Sequence, residues 1–186
     1  MVKYEEHLMG AELQRIWRKT GHFFANIIIS NQFTKVAEIG VLRGRCIKTV
    51  LSFSPANSLI KEYFAIDSWV VKGRGDGYKK VCTFMPWFKQ LKVIKLPSLE
   101  AASLFRNGYL DVVFLDADHS YDAVIADIKA WMPKIRKGGI MCGHDYSKEI
   151  LPRSDVYGVN DAVDDFFGEK NVSLWPDLFC WAIEVQ

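Results

Sequence analysis

The chain reads as an α/β protein with a doubly wound parallel sheet and helices on both faces. Two observations predict this class. Five short apolar runs, at residues 35–40, 62–67, 91–96, 111–115 and 140–145, alternate with segments of helical periodicity. Ionisable residues then collect just past the C-terminal ends of those runs, where open parallel sheets bind their ligands. With 186 residues and 49% hydrophobic content the chain can bury one full-sized core. One domain over 1–186 is expected, with N-terminal helices over 1–30 and a ligand-binding core over 35–186.

Leu8, Met9, Leu13, Ile16, Trp17, Phe23, Phe24, Ile27 and Ile28 recur at helical spacing, which predicts one or two helices before the first strand. "KVAEIG" is that strand and "RCIKTVLSF" the helix behind it; "EYFAID" and "LKVIKL" are the second and third strands. A helix over "EAASLFRNG" stops at Gly108, and Asp111 to Leu115 form the fourth strand. Tyr121, Val124, Ile125, Ile128, Trp131 and Met132 fall on one helical face, so a helix starts near Ser120 and ends before Pro133 and a Lys137-Gly138-Gly139 turn. "IMCGHD" is the fifth strand, and "NVSLW" and "LFCWAIEV" around Pro176-Asp177 read as a closing hairpin.

Composition narrows the function. The 24 basic and 22 acidic residues leave a formal charge of +2, which favours a small or neutral partner over nucleic acid or a membrane surface. Cys46, Cys82, Cys142 and Cys180 form no C-x-x-C pair and suggest reduced thiols in a cytoplasmic setting. "MVKYEEHLMG" lacks a signal-peptide pattern, and "FFANIII" is too short to span a bilayer, so a soluble protein is expected.

Five strand ends carry candidate chemistry. After the first, Glu38 precedes Gly40 and Gly44, which bracket a turn that suits close approach of a ligand to backbone N–H groups. The spacing is G-x-x-x-G, not the dinucleotide fingerprint, and a plain strand-to-helix turn reads equally well. Asp67 ends the second strand, where an acid can accept hydrogen bonds from ribose hydroxyls, with Ser68 and Trp69 placed to border an adenine. Ser98, after the third strand, either borders the other side of the base or caps a helix. The fourth and fifth strands bring Asp116, Asp118 and His119 towards His144 and Asp145. As sheet neighbours about 5 Å apart, they crowd carboxylates and imidazoles into one volume, which is costly unless a metal or substrate uses it. Asp118 also suits a helix N-cap.

"VAEIGVLRGRC", "FAIDSW", "DVVFLDADHSYDAVIADIKAW" and "KGGIMCGHDY", in this order, resemble the class I S-adenosylmethionine-dependent methyltransferases. The resemblance is closest to the small-molecule branch of caffeoyl-CoA-type and macrolide-sugar O-methyltransferases. It implies a Rossmann-like sheet of seven strands, with the closing hairpin supplying an antiparallel strand. It further implies that Glu38 and Gly40 line the methionine part of the cofactor, that Asp67 holds the ribose, that Ser68 and Ser98 border adenine, and that Asp116 lies beside the sulfonium. In the metal-dependent branch the residues matching Asp116, His144 and Asp145 bind a divalent cation. Two positions depart from the pattern: Cys46 stands where Ser or Thr is usual, and His144 stands where the caffeoyl-CoA type has an acid. Imidazole suits zinc, manganese or iron better than magnesium.

The expected reaction is transfer of the sulfonium methyl to a small-molecule hydroxyl, with His119 or His144 as base and Asp116, His144 and Asp145 as metal ligands. Residues 72–87, with three glycines ahead of aromatics, read as a lid, and residues 146–158 as a second rim loop. The "RGD" at 74–76 is discounted as a chance tripeptide. The acceptor pocket is then open or completed by a second subunit of a homo-oligomer. Two rival readings are a metal-dependent hydrolase or hydroxylase on a similar fold, and a non-catalytic cofactor-binding subunit.

Overall fold

A computed structural model describes residues 19–70, 76–147 and 157–186. Helix α1 covers residues 19–30. It is followed by β1 (Lys35–Ile39), α2 (Arg45–Ser52), α3 (Ser54–Leu59), β2 (Glu62–Asp67), α4 (Gly77–Cys82), β3 (Leu91–Lys95), α5 (Ser98–Ala102) and β4 (Leu110–Leu115). Then come α6 (Tyr121–Trp131), β5 (Ile135–Gly143), α7 (Val159–Phe167), β6 (Ser173–Trp175) and β7 (Cys180–Glu184).

The strands form one seven-stranded sheet in the order β3-β2-β1-β4-β5-β7-β6. β1 to β5 pair in parallel, while β7 runs antiparallel to β5 and β6 antiparallel to β7. The order reverses at β1, whose neighbours are β2 and β4, and such a switch point opens a crevice at the strand tips. Register aligns those tips, since Ile39 pairs with Ile66 and Leu115, and Leu115 pairs with Gly143. The expected doubly wound class and closing hairpin are what the chain adopts.

Period-2 alternation along the strands divides the core. Val36, Val112 and Phe114 face α1 and α2, where Phe114 stacks on Phe24 with ring centroids 4.8 Å apart. Ala37, Ile39, Val113 and Leu115 face α5, α6 and α7, where Trp131 and Trp181 are fully buried. Burial of a side chain such as Phe114 stabilises the fold by about 1.5–3 kcal/mol.

Several expected boundaries differ. The Lys137-Gly138-Gly139 turn lies inside β5: pairing jumps from Leu110↔Ile135 to Val112↔Ile140, a bulge with Gly138 at φ 70 and its N–H donated to Val185 O. The helix after the third strand is only Ser98–Ala102 and ends well before Gly108. Asp118 is not the N-cap of α6; Ser120 is, and the Asp118 carboxylate accepts the Ser120 N–H at 2.9 Å. The stretch read as a lid contains α4, whose Val81 is buried in the core, so its second half is ordered structure. Residues 71–75, most of the second rim loop and the start of the chain lie outside the described residues. Among the described residues no helix is long and apolar enough to cross a membrane.

Candidate active site at the strand tips

The β1 tip is shaped by close backbone approach. Gly40 has φ 89, and a Cβ there would fall 2.0 Å from the Asp116 carbonyl oxygen of the neighbouring β4 tip. Only glycine fits both the torsion and the gap. The next turn, through Leu42 at φ 51, is tied to β2: Asp67 Oδ2 accepts the Leu42 N–H at 2.8 Å and Oδ1 accepts the Trp69 N–H at 2.6 Å. A carboxylate offers about four lone-pair sites, so Asp67 keeps capacity for two hydroxyls. Trp69 donates its indole N–H to Leu42 O at 2.7 Å and tilts against Tyr78, while Ser68 beside it is half-buried. Gly44, at φ 70, is the N-cap of α2, and Phe84 and Val81 pack against it.

Glu38 lies one residue below the tip and is 2% exposed. Its carboxyl receives the Tyr63 hydroxyl and the Cys46 thiol lies beside it. Burial raises its pKa to about 8, the bond from Tyr63 opposing and the charge of Asp116 adding to the shift. Neither Tyr63 nor Cys46 figures in the sequence reading of Glu38, because an aromatic and a cysteine in apolar runs look like ordinary core.

The β4 and β5 tips bring together the predicted cluster. His144 Nδ1 lies 3.0 Å from Asp145 Oδ1, and His119 Nε2 lies 2.8 Å from Asp145 Oδ2 and 3.5 Å from Asp116 Oδ1. The His119 contacts are close but not aligned as hydrogen bonds, because its Nε2 has no bonded partner among the described residues. Asp145 adopts φ 60, which turns its carboxylate between the two rings. Tyr157 stacks on His119 at 5.6 Å, and His119 O accepts the Gly158 N–H at 2.7 Å, so the start of α7 is docked on this loop.

The electrostatics follow from this crowding. Burial works against a charged His119, but Asp116 and Asp145 outweigh it and raise its pKa to about 10. His144 shifts upward for the same balance of causes, and Asp145, despite its burial, is held below the carboxylate range by the two imidazoles. Burial pushes Asp116 up. One ligand atom each from Asp116, His144 and Asp145 lies within 4.8 Å of the others. Two carboxylates and one imidazole form a donor set that suits a borderline divalent cation such as manganese or zinc, so these residues fit a metal.

Ser98 stands apart from this cluster and has local partners: it donates to Asp127 and accepts the Trp131 indole N–H at 2.9 Å. Asp127 is the main residue that the sequence reading passed over. It is 6% exposed on the buried face of α6, and burial raises its pKa to about 6. An acid inside the Val124, Ile128 and Trp131 stripe was the available signal.

Comparison with known proteins agrees with this architecture. A family described as "Methyltransferase domain" matches residues 37–146, which span β1 to the end of the β5 tip. An uncharacterized protein of Acanthamoeba polyphaga mimivirus, R132, is 28% identical over 156 residues, 75% of this chain and 68% of that protein. The O-methyltransferase from Bacillus cereus in complex with SAH superposes with a TM-score of 0.61 at 14% identity, over 89% of this chain and 80% of that one. The SAH-bound methyltransferase PaMTH1 of Podospora anserina superposes with a TM-score of 0.65 at 13% identity, over 100% and 98%. With more than half of its length matched by the family, and the switch-point crevice built as described, the chain belongs to the methyltransferase-domain family and is a class I S-adenosylmethionine-dependent methyltransferase.

Proposed function

We propose that the protein methylates a hydroxyl of a small molecule, assisted by a divalent cation held by Asp116, His144 and Asp145. The observation that carries this reading is the convergence of Gly40, Asp67 and the His–Asp cluster at one end of the sheet. The solved O-methyltransferase of the same fold supports it.

S-adenosylmethionine supplies a methyl whose bond to the sulfonium breaks as a bond to the acceptor oxygen forms, leaving a neutral thioether and a proton to be removed. In this reading Glu38 and the Gly40 turn line the methionine portion, Asp67 takes the ribose hydroxyls, Ser68 and Ser98 border the adenine, and Asp116 faces the sulfonium. Gly44, at φ 70, turns the chain into α2 beneath Phe84 and Val81. A divalent cation, when bound, lowers the pKa of an acceptor hydroxyl. His119 and His144 are the catalytic imidazoles of this reading. The carboxylates of Asp116 and Asp145 favour the protonated form of both rings, so the base role falls to the ring that does not hold the cation, once that cation has taken up their charge. Orientation of acceptor against donor supplies most of the rate.

Calorimetric titration with S-adenosylmethionine tests the cofactor site: binding is expected, and Asp67→Ala should weaken it at least tenfold. Transfer of a radiolabelled methyl group to a fractionated metabolite pool, with and without chelator, tests acceptor and metal together. Cation-dependent turnover without the adenosyl cofactor would favour a hydrolase or hydroxylase instead. Cofactor binding with no labelled product from any pool would favour a non-catalytic subunit.

A further inference from the structure

Two polar atoms beside the tip cluster are left over by the cation site. His144 Nε2 and Trp181 Nε1 are buried and lack a hydrogen-bond partner among the described residues. Their side chains are 6% and 1% exposed. Both residues line one small cavity on the α6–α7 side of the sheet, together with Asp118, Val124, Asp127 and Val159. Its volume is about 10 Å³. That is room for about one water molecule. Trp181 lies tight against Gly143, where a Cβ would fall 2.7 Å from its indole nitrogen.

The walls restrict the occupant. Carboxylates of Asp116, Asp118 and Asp127 repel an anion, and an apolar guest would leave both nitrogens unpaired. A water accepts two hydrogen bonds and donates two, which matches an indole N–H, an imidazole N–H and the flanking carboxylate acceptors.

We propose that this cavity binds one water molecule that accepts hydrogen bonds from Trp181 Nε1 and His144 Nε2 and donates to Asp127. The proposal rests on the reading of Asp116, His144 and Asp145 as a cation site, and it assigns the water a role there. In a neutral imidazole the hydrogen bond made by one nitrogen decides the state of the other. A proton fixed on Nε2 leaves the lone pair on Nδ1, the nitrogen 3.0 Å from Asp145 Oδ1, free for a cation shared with Asp145 and Asp116. Trp181 and Asp127 are then positioning residues that act through His144. Ser98 holds Asp127 in place from the other side.

Two measurements on the full chain decide it. A high-resolution crystal structure should show an ordered water within hydrogen-bond distance of both nitrogens; a dry cavity overturns the proposal. With Zn²⁺ bound, the ¹⁵N spectrum of His144 should show Nδ1 ligated and the Nε2–H protected from exchange with solvent in the wild type. Trp181→Phe and Asp127→Asn should lose that protection and bind Zn²⁺ about tenfold more weakly. Their affinity for the adenosyl cofactor should stay unchanged, which a general loss of folding would not allow. Variants with unaltered Nε2–H exchange and zinc affinity overturn the positioning role. A wild-type protein with no zinc affinity overturns the cation reading alone, and the crystallographic water then stands or falls by itself.

Discussion

At the scale of single residues, Glu38 shows how position in the sheet governs charge. A carboxyl whose native pKa is about 8, against 4.5 in the open chain, binds its proton more tightly when folded. Its contribution to stability is therefore intact below pH 4.5 and declines as pH rises through about 8, by up to about 1.4 kcal/mol per pH unit. Replacing Glu38→Gln should flatten that slope, so urea unfolding at pH 6 and pH 9 should give the variant the larger relative gain at pH 9. Which residues were legible in the sequence follows from the same geometry. Asp67, Asp116, His144 and Asp145 could be read because each stands just past an apolar run, where a strand must end. Tyr63 and Trp181 could not, since their polar atoms emerge from runs that look purely apolar and acquire meaning only from a neighbour in another strand.

Secondary-structure elements are joined at both ends of the sheet by single groups. At the tip end Gly40 lets β1 and β4 approach, and Gly40→Ala combines a positive φ with a Cβ placed 2.0 Å from a carbonyl oxygen. A loss of about 2–5 kcal/mol is expected, read by denaturant melts, together with weakened cofactor binding. At the opposite end Asp111 accepts the backbone N–H groups of Thr34 and Lys35 at 2.8 and 2.9 Å and pairs with Arg136 at 2.7 Å, which ties β1, β4 and β5 together. Burial opposes its charge, but these partners hold its pKa below the usual value. Its stabilisation is present above pH 3.8 and is lost as pH falls through the lowered native pKa. Asp111→Ala should cost about 2–4 kcal/mol near neutral pH, by thermal or urea unfolding, because two backbone donors lose a charged acceptor. Helix α7 had a readable pattern in Val159, Ala162, Val163 and Phe166, but its N-cap is Gly158 rather than a Ser, Thr, Asp or Asn that would mark where the periodicity begins.

For the whole molecule, the alternation of strands and helices sufficed to anticipate the sheet and the switch point in its strand order. Local pattern could not show that β5 begins at Ile135, because its bulge is set by pairing to β4 and β7 rather than by the Lys-Gly-Gly sequence itself. Since a ligand at the switch-point crevice touches several tips at once, S-adenosylhomocysteine at one hundred times its Kd should add about 2.7 kcal/mol to stability. That corresponds to a rise in Tm of about 5–10 °C for a chain of this length, measurable by differential scanning fluorimetry. The tips also share a backbone property. Leu42, Trp69, Asp145 and Phe179, four of the five described non-glycine residues with positive φ, all lie at that end, beside β1, β2, β5 and β7. Each left-handed side-chain-bearing residue costs about 1–2 kcal/mol. Amides there should exchange with deuterated solvent sooner than those at mid-strand and slow when ligand is added. On that expectation the crevice is also where the native state first opens.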